Sequence, residues 1–144
     1  MAGKHGSTEV VVSITASPGG AAKIITPYVT SISGLAIEAL TQQTNPFGAT
    51  SEEHTPTGLV KTPDIVLSGF FDDTADVGSW TVLKQVAGDI ATASVGRVLI
   101  ITAATGITFT VTVHLVKTEV LNKNGNLTEY ATTLRQKSSG AWSA

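Results

Sequence analysis

The sequence predicts a mainly β protein, a β-sandwich or rolled barrel of about seven strands with one flanking α-helix. Three observations carry that expectation. β-branched residues are abundant, with roughly twenty threonines alone, and such side chains suit a pleated surface better than a helix. Apolar and polar residues alternate over a long segment near residue 110. Clusters of turn-forming residues interrupt the chain at short intervals.

The elements follow in chain order. Glu9 to Thr15 (EVVVSIT) is a β-branched run stopped by a turn at Ser17-Pro18-Gly19-Gly20. Lys23 to Ser33 is a second strand, and Pro27 inside it calls for an edge position or a bulge. Leu35 to Thr41 alternates and is expected as a strand, although its Leu, Glu and Ala would also suit a helical turn. Asp64 to Phe71 is a strand that ends in an acidic turn at Asp72, Asp73 and Asp76. Gly78 to Gly88 is the expected helix. Ser79 can cap it, Trp80, Leu83 and Val86 or Ala87 form one apolar stripe, and Gly88 ends it. Arg97 to Ala103 is a strand followed by a turn at Thr105-Gly106. Ile107 to Val120 is a long strand with Ile107, Phe109, Val111, Val113 and Leu115 on one face and threonines and His114 on the other. Asn124-Gly125 marks a hairpin, and Leu127 to Gln136 is the returning strand. This gives one β domain over residues 9–137, between a flexible polar tail at 1–8 and a small-residue tail at 138–144.

Gln42 to Pro63 stands apart. It contains three prolines and two glycines and almost no apolar residue. A structureless stretch of about twenty residues in a compact domain is uncommon and usually functional or disordered. It is expected to be a loop that orders against a neighbouring molecule. Its candidate contact residues are Asn45, Phe47, Glu52, Glu53, His54, Leu59 and Val60.

Composition narrows the function. Only 14% of the 144 residues are charged, against roughly 25% in an average domain. A soluble chain so poor in charge must hide surface, cover itself with neutral polar groups, or bind its own copies. Net charge is −2 with no basic block, which argues against binding nucleic acid through its phosphates. The absence of cysteine excludes disulfides and thiolate metal sites. No apolar run approaches the ~20 residues of a membrane helix, and residues 1–8 do not read as a secretion signal.

The search for chemistry finds no site. His5, His54 and His114 lie far apart, and the acidic turn lacks the spacing of a calcium loop. Ser68-Gly69 lacks the surround of a nucleophile elbow. No catalytic, cofactor or metal residue is expected.

From about Lys23 to Lys137 the order of elements resembles the tail tube proteins of long-tailed bacteriophages, of the non-contractile type. The likeness rests on the early strand pair KIITPYVTSISGLAIEALTQQT, the loop with Asn45 to Thr50, and the strand DIVLSGFFDD. The helix SWTVLKQVAG, the long strand ITFTVTVHLVKTEV, the Asn-Gly hairpin and the strand LTEYATTLRQ complete it. Contractile inner tubes share much of this fold. The resemblance implies two packed sheets flanked by a helix, hexameric rings and stacking into a hollow tube. It also implies a long loop that reaches the adjacent ring or subunit, and an acidic or neutral channel through which DNA passes without being held. Glu38 is the candidate channel-facing residue. A tape measure protein and a tail terminator are implied as partners, the virion tail as location and the host cytoplasm as the place of assembly. The rival expectations are a capsid decoration or head-completion protein, then a β-sandwich adhesion module.

Overall fold

The structure, a computed structural model, describes residues 10–44, 47–48, 50–84, 89, 95–104, 106–122 and 127–143. Among them lie ten strands and one short α-helix. The strands are β1 (Val11–Thr15), β2 (Ala22–Ile24), β3 (Ser31–Ser33), β4 (Glu38–Gln43), β5 (His54–Lys61), β6 (Ile65–Phe70), β7 (Arg97–Ala104), β8 (Ile107–Leu121), β9 (Glu129–Gln136) and β10 (Ala141–Ser143). The helix α1 (Ser79–Leu83) lies between β6 and β7. The protein is mainly β, as its alternating, β-branched sequence implies.

Eight strands form one antiparallel sheet in the order β2-β1-β7-β8-β9-β6-β3, with β10 paired to β8 beside this path. The long strand β8 organises the sheet. Its first half pairs with β7, from Ala104↔Ile107 to Arg97↔Val113. Its second half pairs with β9, from Val113↔Gln136 to Leu121↔Glu129. A register shift between Leu115 and Lys117 marks a bulge, which bends and twists a strand. Alternation puts Phe109, Val111, Val113 and Leu115 inward, and all are buried.

The two halves of the sheet share one core. Val12, Ile14, Leu99 and Phe109 come from one half, and Ile65, Leu67, Tyr130 and Leu134 from the other. The sheet is therefore rolled with its two inner faces opposed, like a sandwich, and it does not close into a barrel. Its end strands, β2 and β3, are consecutive in the chain and are joined across a 3-10 turn at Thr26–Tyr28. The expected single strand over Lys23 to Ser33 is broken there, because Pro27 offers no N–H to a ladder. The Ile25 N–H donates to the Val12 carbonyl at 3.0 Å and the Thr30 N–H to the Ser68 carbonyl at 2.8 Å. The segment thus runs from one end of the sheet to the other. Gly69 permits this: a Cβ there would overlap the Tyr28 carbonyl oxygen.

The helix differs from expectation. Gly78, in extended backbone, occupies the N-cap position, and the Ser79 hydroxyl makes no capping bond. It donates instead to the Phe70 carbonyl at 2.7 Å and accepts from the Asp72 N–H at 2.9 Å, which staples the helix to the end of β6. The buried residues are Ser79, Val82 and Leu83. Trp80 is half-buried on the flank, its ring 5.5 Å from that of Phe71. The expected stripe therefore holds at Leu83 but not at Trp80. Val86, Ala87 and Gly88 lie outside the described residues, as does the Asn124-Gly125 turn.

Arg97, which reads as an ordinary strand start, is 1% exposed. Its guanidinium meets Asp89 in a two-pronged pair, Nε to Oδ1 at 2.7 Å and Nη2 to Oδ2 at 2.9 Å. Nη1 donates to the carbonyls of Val82 and Thr15. One buried cation thus ties α1, β1, β7 and Asp89 together, and each of its bonds offsets part of the desolvation cost. The 138–144 segment, expected as a tail, carries β10. Trp142 stands opposite Phe109 with ring centroids 4.9 Å apart.

Candidate assembly surfaces

The segment expected as a structureless loop is a hairpin arm. β4 and β5 pair only with each other, from Glu38↔Lys61 to Gln43↔His54. Every residue of both strands is exposed. Pro56 and Gly58 hide β5 from a sequence reading. The arm accommodates them with a bulge, since the register jumps from Ala39↔Val60 to Thr41↔Pro56. Gly58 there has φ of +83°, a left-handed backbone that glycine adopts without strain. Pro56 is tolerated because a two-stranded ribbon has free edges. The Thr57 hydroxyl donates to the Leu40 carbonyl at 3.0 Å across the bulge, and the Thr44 N–H donates to the Glu53 carbonyl at 2.9 Å towards the tip.

The expected contact residues distribute along this arm. Glu38, the channel-facing candidate, stands at its base, 3.7 Å from the Lys61 ammonium. Leu59 and Val60 lie at the bulge beside Leu40, with 64% and 47% of their surface exposed. Glu52 and His54 are 3.8 Å apart nearer the tip. Phe47 is fully exposed. Asn45 lies outside the described residues. A lone two-stranded ribbon is marginally stable in water, and this one displays Ile37, Leu40, Phe47, Leu59 and Val60 to solvent. Cover from another molecule would offset that exposure.

The outer face of the sheet is divided. Over β2, β1, β7, the first half of β8 and β10, outward side chains form cross-strand rows without charge. One row is Ile24, Ser13, Ile100, Thr110 and Ala141; the next is Val11, Thr102, Thr108 and Ser143. The other half carries the charges. Lys117 and Glu119 pair on β8, and Arg135 on β9 meets Asp64 at 3.2 Å, which holds the guanidinium even more firmly protonated. The free edges of β2 and β3 are short, a common way to limit unwanted pairing.

The remaining candidates show structural roles. Hydrogen bonding from Thr74, first from its side chain and then from its N–H at 2.7 Å, lowers the Asp72 pKa. Asp76 lies 3.9 Å from Lys23. His114 pairs in register with Arg135 on the outer face of β8 and β9. Among the described residues no three His, Cys, Asp or Glu side chains gather as a metal site would require. No described helix is long and apolar enough to cross a membrane. The buried Asp89–Arg97 pair, β10 and the uncharged face were not singled out from the sequence.

A rolled antiparallel sheet with one flanking helix and a long exposed hairpin defines the class of fold, and solved structures share it along its length. A chain from the tail of an empty GTA particle, determined with C6 symmetry, superposes with a TM-score of 0.71 at 10% identity, covering 98% of this chain and 100% of that one. A chain of the sheath/tube terminator of the extracellular contractile injection system PVC, in the extended state, gives 0.68 at 15%, covering 100% and 99%. One from the PVC sheath-tube complex gives 0.63 at 15%, covering 98% and 92%. The likeness thus extends to contractile systems, which corrects the narrower resemblance to the non-contractile type. No protein-family model matches the sequence, and comparison with curated proteins finds no match.

Proposed function

We propose that this chain is a structural subunit of a tail-type tube: it closes into hexameric rings, and the rings stack into a hollow conduit for DNA. One observation carries the reading. The fold matches, end to end and in both directions, a chain from a tail with C6 symmetry, while the chain holds out a hairpin whose apolar side chains stay in water. The physics agrees. Free strand edges and an uncharged face invite pairing with further copies, and head-to-tail contacts make rings where the rotation closes and filaments where stacking continues. The subunit's role is structural rather than catalytic. Neighbours come both from a GTA tail and from a contractile sheath-tube complex, so the reading is of a tube subunit without a commitment to tail type.

Several finer features belong to this reading. The arm bridges to an adjacent ring or subunit through Phe47, Leu59 and Val60, with Asn45, Glu52, Glu53 and His54 alongside. Glu38 faces the channel, where its pairing with Lys61 keeps local charge low, so DNA is not gripped. A tape measure protein and a terminator complete the tail, which assembles in the host cytoplasm and resides in the virion. A terminating ring is the second reading, favoured by the full mutual coverage with the PVC terminator. Sedimentation of the purified protein across concentrations tests both. A tube subunit gives polymers of indefinite size, a terminator stops at single rings, and a persistent monomer refutes both.

A further inference from the structure

The roll of the sheet leaves a seam between its two ends, and a slot opens there. It has a volume of about 280 Å³ and is lined by Val10, Val12, Val29 and Ile32, alongside Thr26 and Ser31. Among the described residues no charged side chain lines it. Val10, Val29 and Ile32 are partly buried and rest on the core, so the floor is firm. Thr26 is held by the Val12 N–H, which donates to its hydroxyl at 3.0 Å. The slot lies a few residues before the base of the arm. At the other end of the arm stands Phe47, fully exposed.

We infer that Phe47 of one copy seats in the seam slot of the next copy, so that the arm is a knob and the seam its hole. This docking presupposes the tube assembly proposed above. Size fits, because a cavity of about 150 Å³ already accepts a benzene ring. Chemistry fits, since an aromatic ring gains by entering an aliphatic, uncharged site. β4 alone spans ~17 Å at about 3.3 Å per residue, and Phe47 follows beyond its far end, so the ribbon holds the ring out from its base at Glu38. A knob and a hole on different parts of one surface make a head-to-tail contact, which propagates instead of closing on itself as a two-fold dimer.

The chain has no cysteine, so engineered thiols report without background. Phe47→Cys and Ser31→Cys chains are mixed under polymerising conditions and oxidised. A disulfide-linked dimer is expected from this pair and not from Phe47→Cys mixed with Thr110→Cys, whose thiol sits on the outer face of β8. The single substitution Phe47→Ala should raise the concentration needed for polymerisation about tenfold or more, the effect of losing the burial of an aromatic ring. Polymers that form without the Phe47–Ser31 link, or with the Thr110 link equally strong, would overturn the inference and leave the tube reading intact. A wild-type protein that never polymerises would overturn the tube reading and this inference with it.

Discussion

The triple substitution Leu40→Thr, Leu59→Thr, Val60→Thr separates folding from assembly. The three side chains are 40%, 64% and 47% exposed, so about half of each remains to be withdrawn from water by a neighbour. Full burial of such a side chain is worth ~1.5–3 kcal/mol, which gives ~1 kcal/mol for each half and ~3 kcal/mol for the three. At ~1.4 kcal/mol per decade, the critical concentration for polymerisation should rise roughly 100-fold. Threonine keeps the β preference of the arm, and substitutions at exposed sites usually stay within about 0.5 kcal/mol of folding stability. Urea unfolding of the monomer should therefore be nearly unchanged, while pelleting assays shift by two decades. An unchanged critical concentration in a variant that folds normally would refute the role given to the arm.

Other consequences concern the fold itself. Arg97→Ala leaves Asp89 buried without its guanidinium and should destabilise the protein by ~3–5 kcal/mol in chemical unfolding; a loss below ~1 kcal/mol would contradict the network described. Leu83→Ala should cost ~2–5 kcal/mol as a core truncation, and thermal melts should show it exceeding Trp80→Ala, since Trp80 is only half-buried. Tyr130 is 1% exposed and its hydroxyl has no hydrogen-bond partner among the described residues, and burial pushes its pKa well above the ordinary 10.0. A raised folded-state pKa means stability is fully present below pH ~10 and is lost as pH rises above it, because the unfolded chain releases the proton first. Tyr130→Phe should flatten that alkaline decline and change stability little at neutral pH; an unaltered pH profile would count against it.

Much of the fold was legible because β8, β6, β7 and β9 state their burial by alternation or by β-branched density. The seven expected strands correspond to observed ones, and three more appear: two of three residues and the eight-residue β5. β2 and β3 are one expected strand cut at Pro27 by the missing N–H. β5 was masked by Pro56 and Gly58, which read as loop residues until a bulge absorbs them. β10 is built from Ala141, Trp142 and Ser143, too short for any period to register. The helix starts where the sequence predicts but ends at Leu83, with Lys84 already extended, instead of running to Gly88; Trp80 suggests the core side, whereas the staple from Ser79 to Phe70 and Asp72 goes with Val82 and Leu83 inward. Burial of Arg97 was illegible, since an isolated arginine before a strand carries no sign of its partners. The 42–63 segment stands out by composition, but its hairpin form and the seam slot arise from pairings between residues apart in sequence.

The most direct test of the central claim is electron microscopy of the purified, concentrated wild-type protein. Stacked rings predict hollow tubes of uniform diameter and variable length, with six-fold symmetry in end-on views. Fields that contain only monomers, small closed oligomers or isolated rings across salt and concentration would contradict the tube assignment.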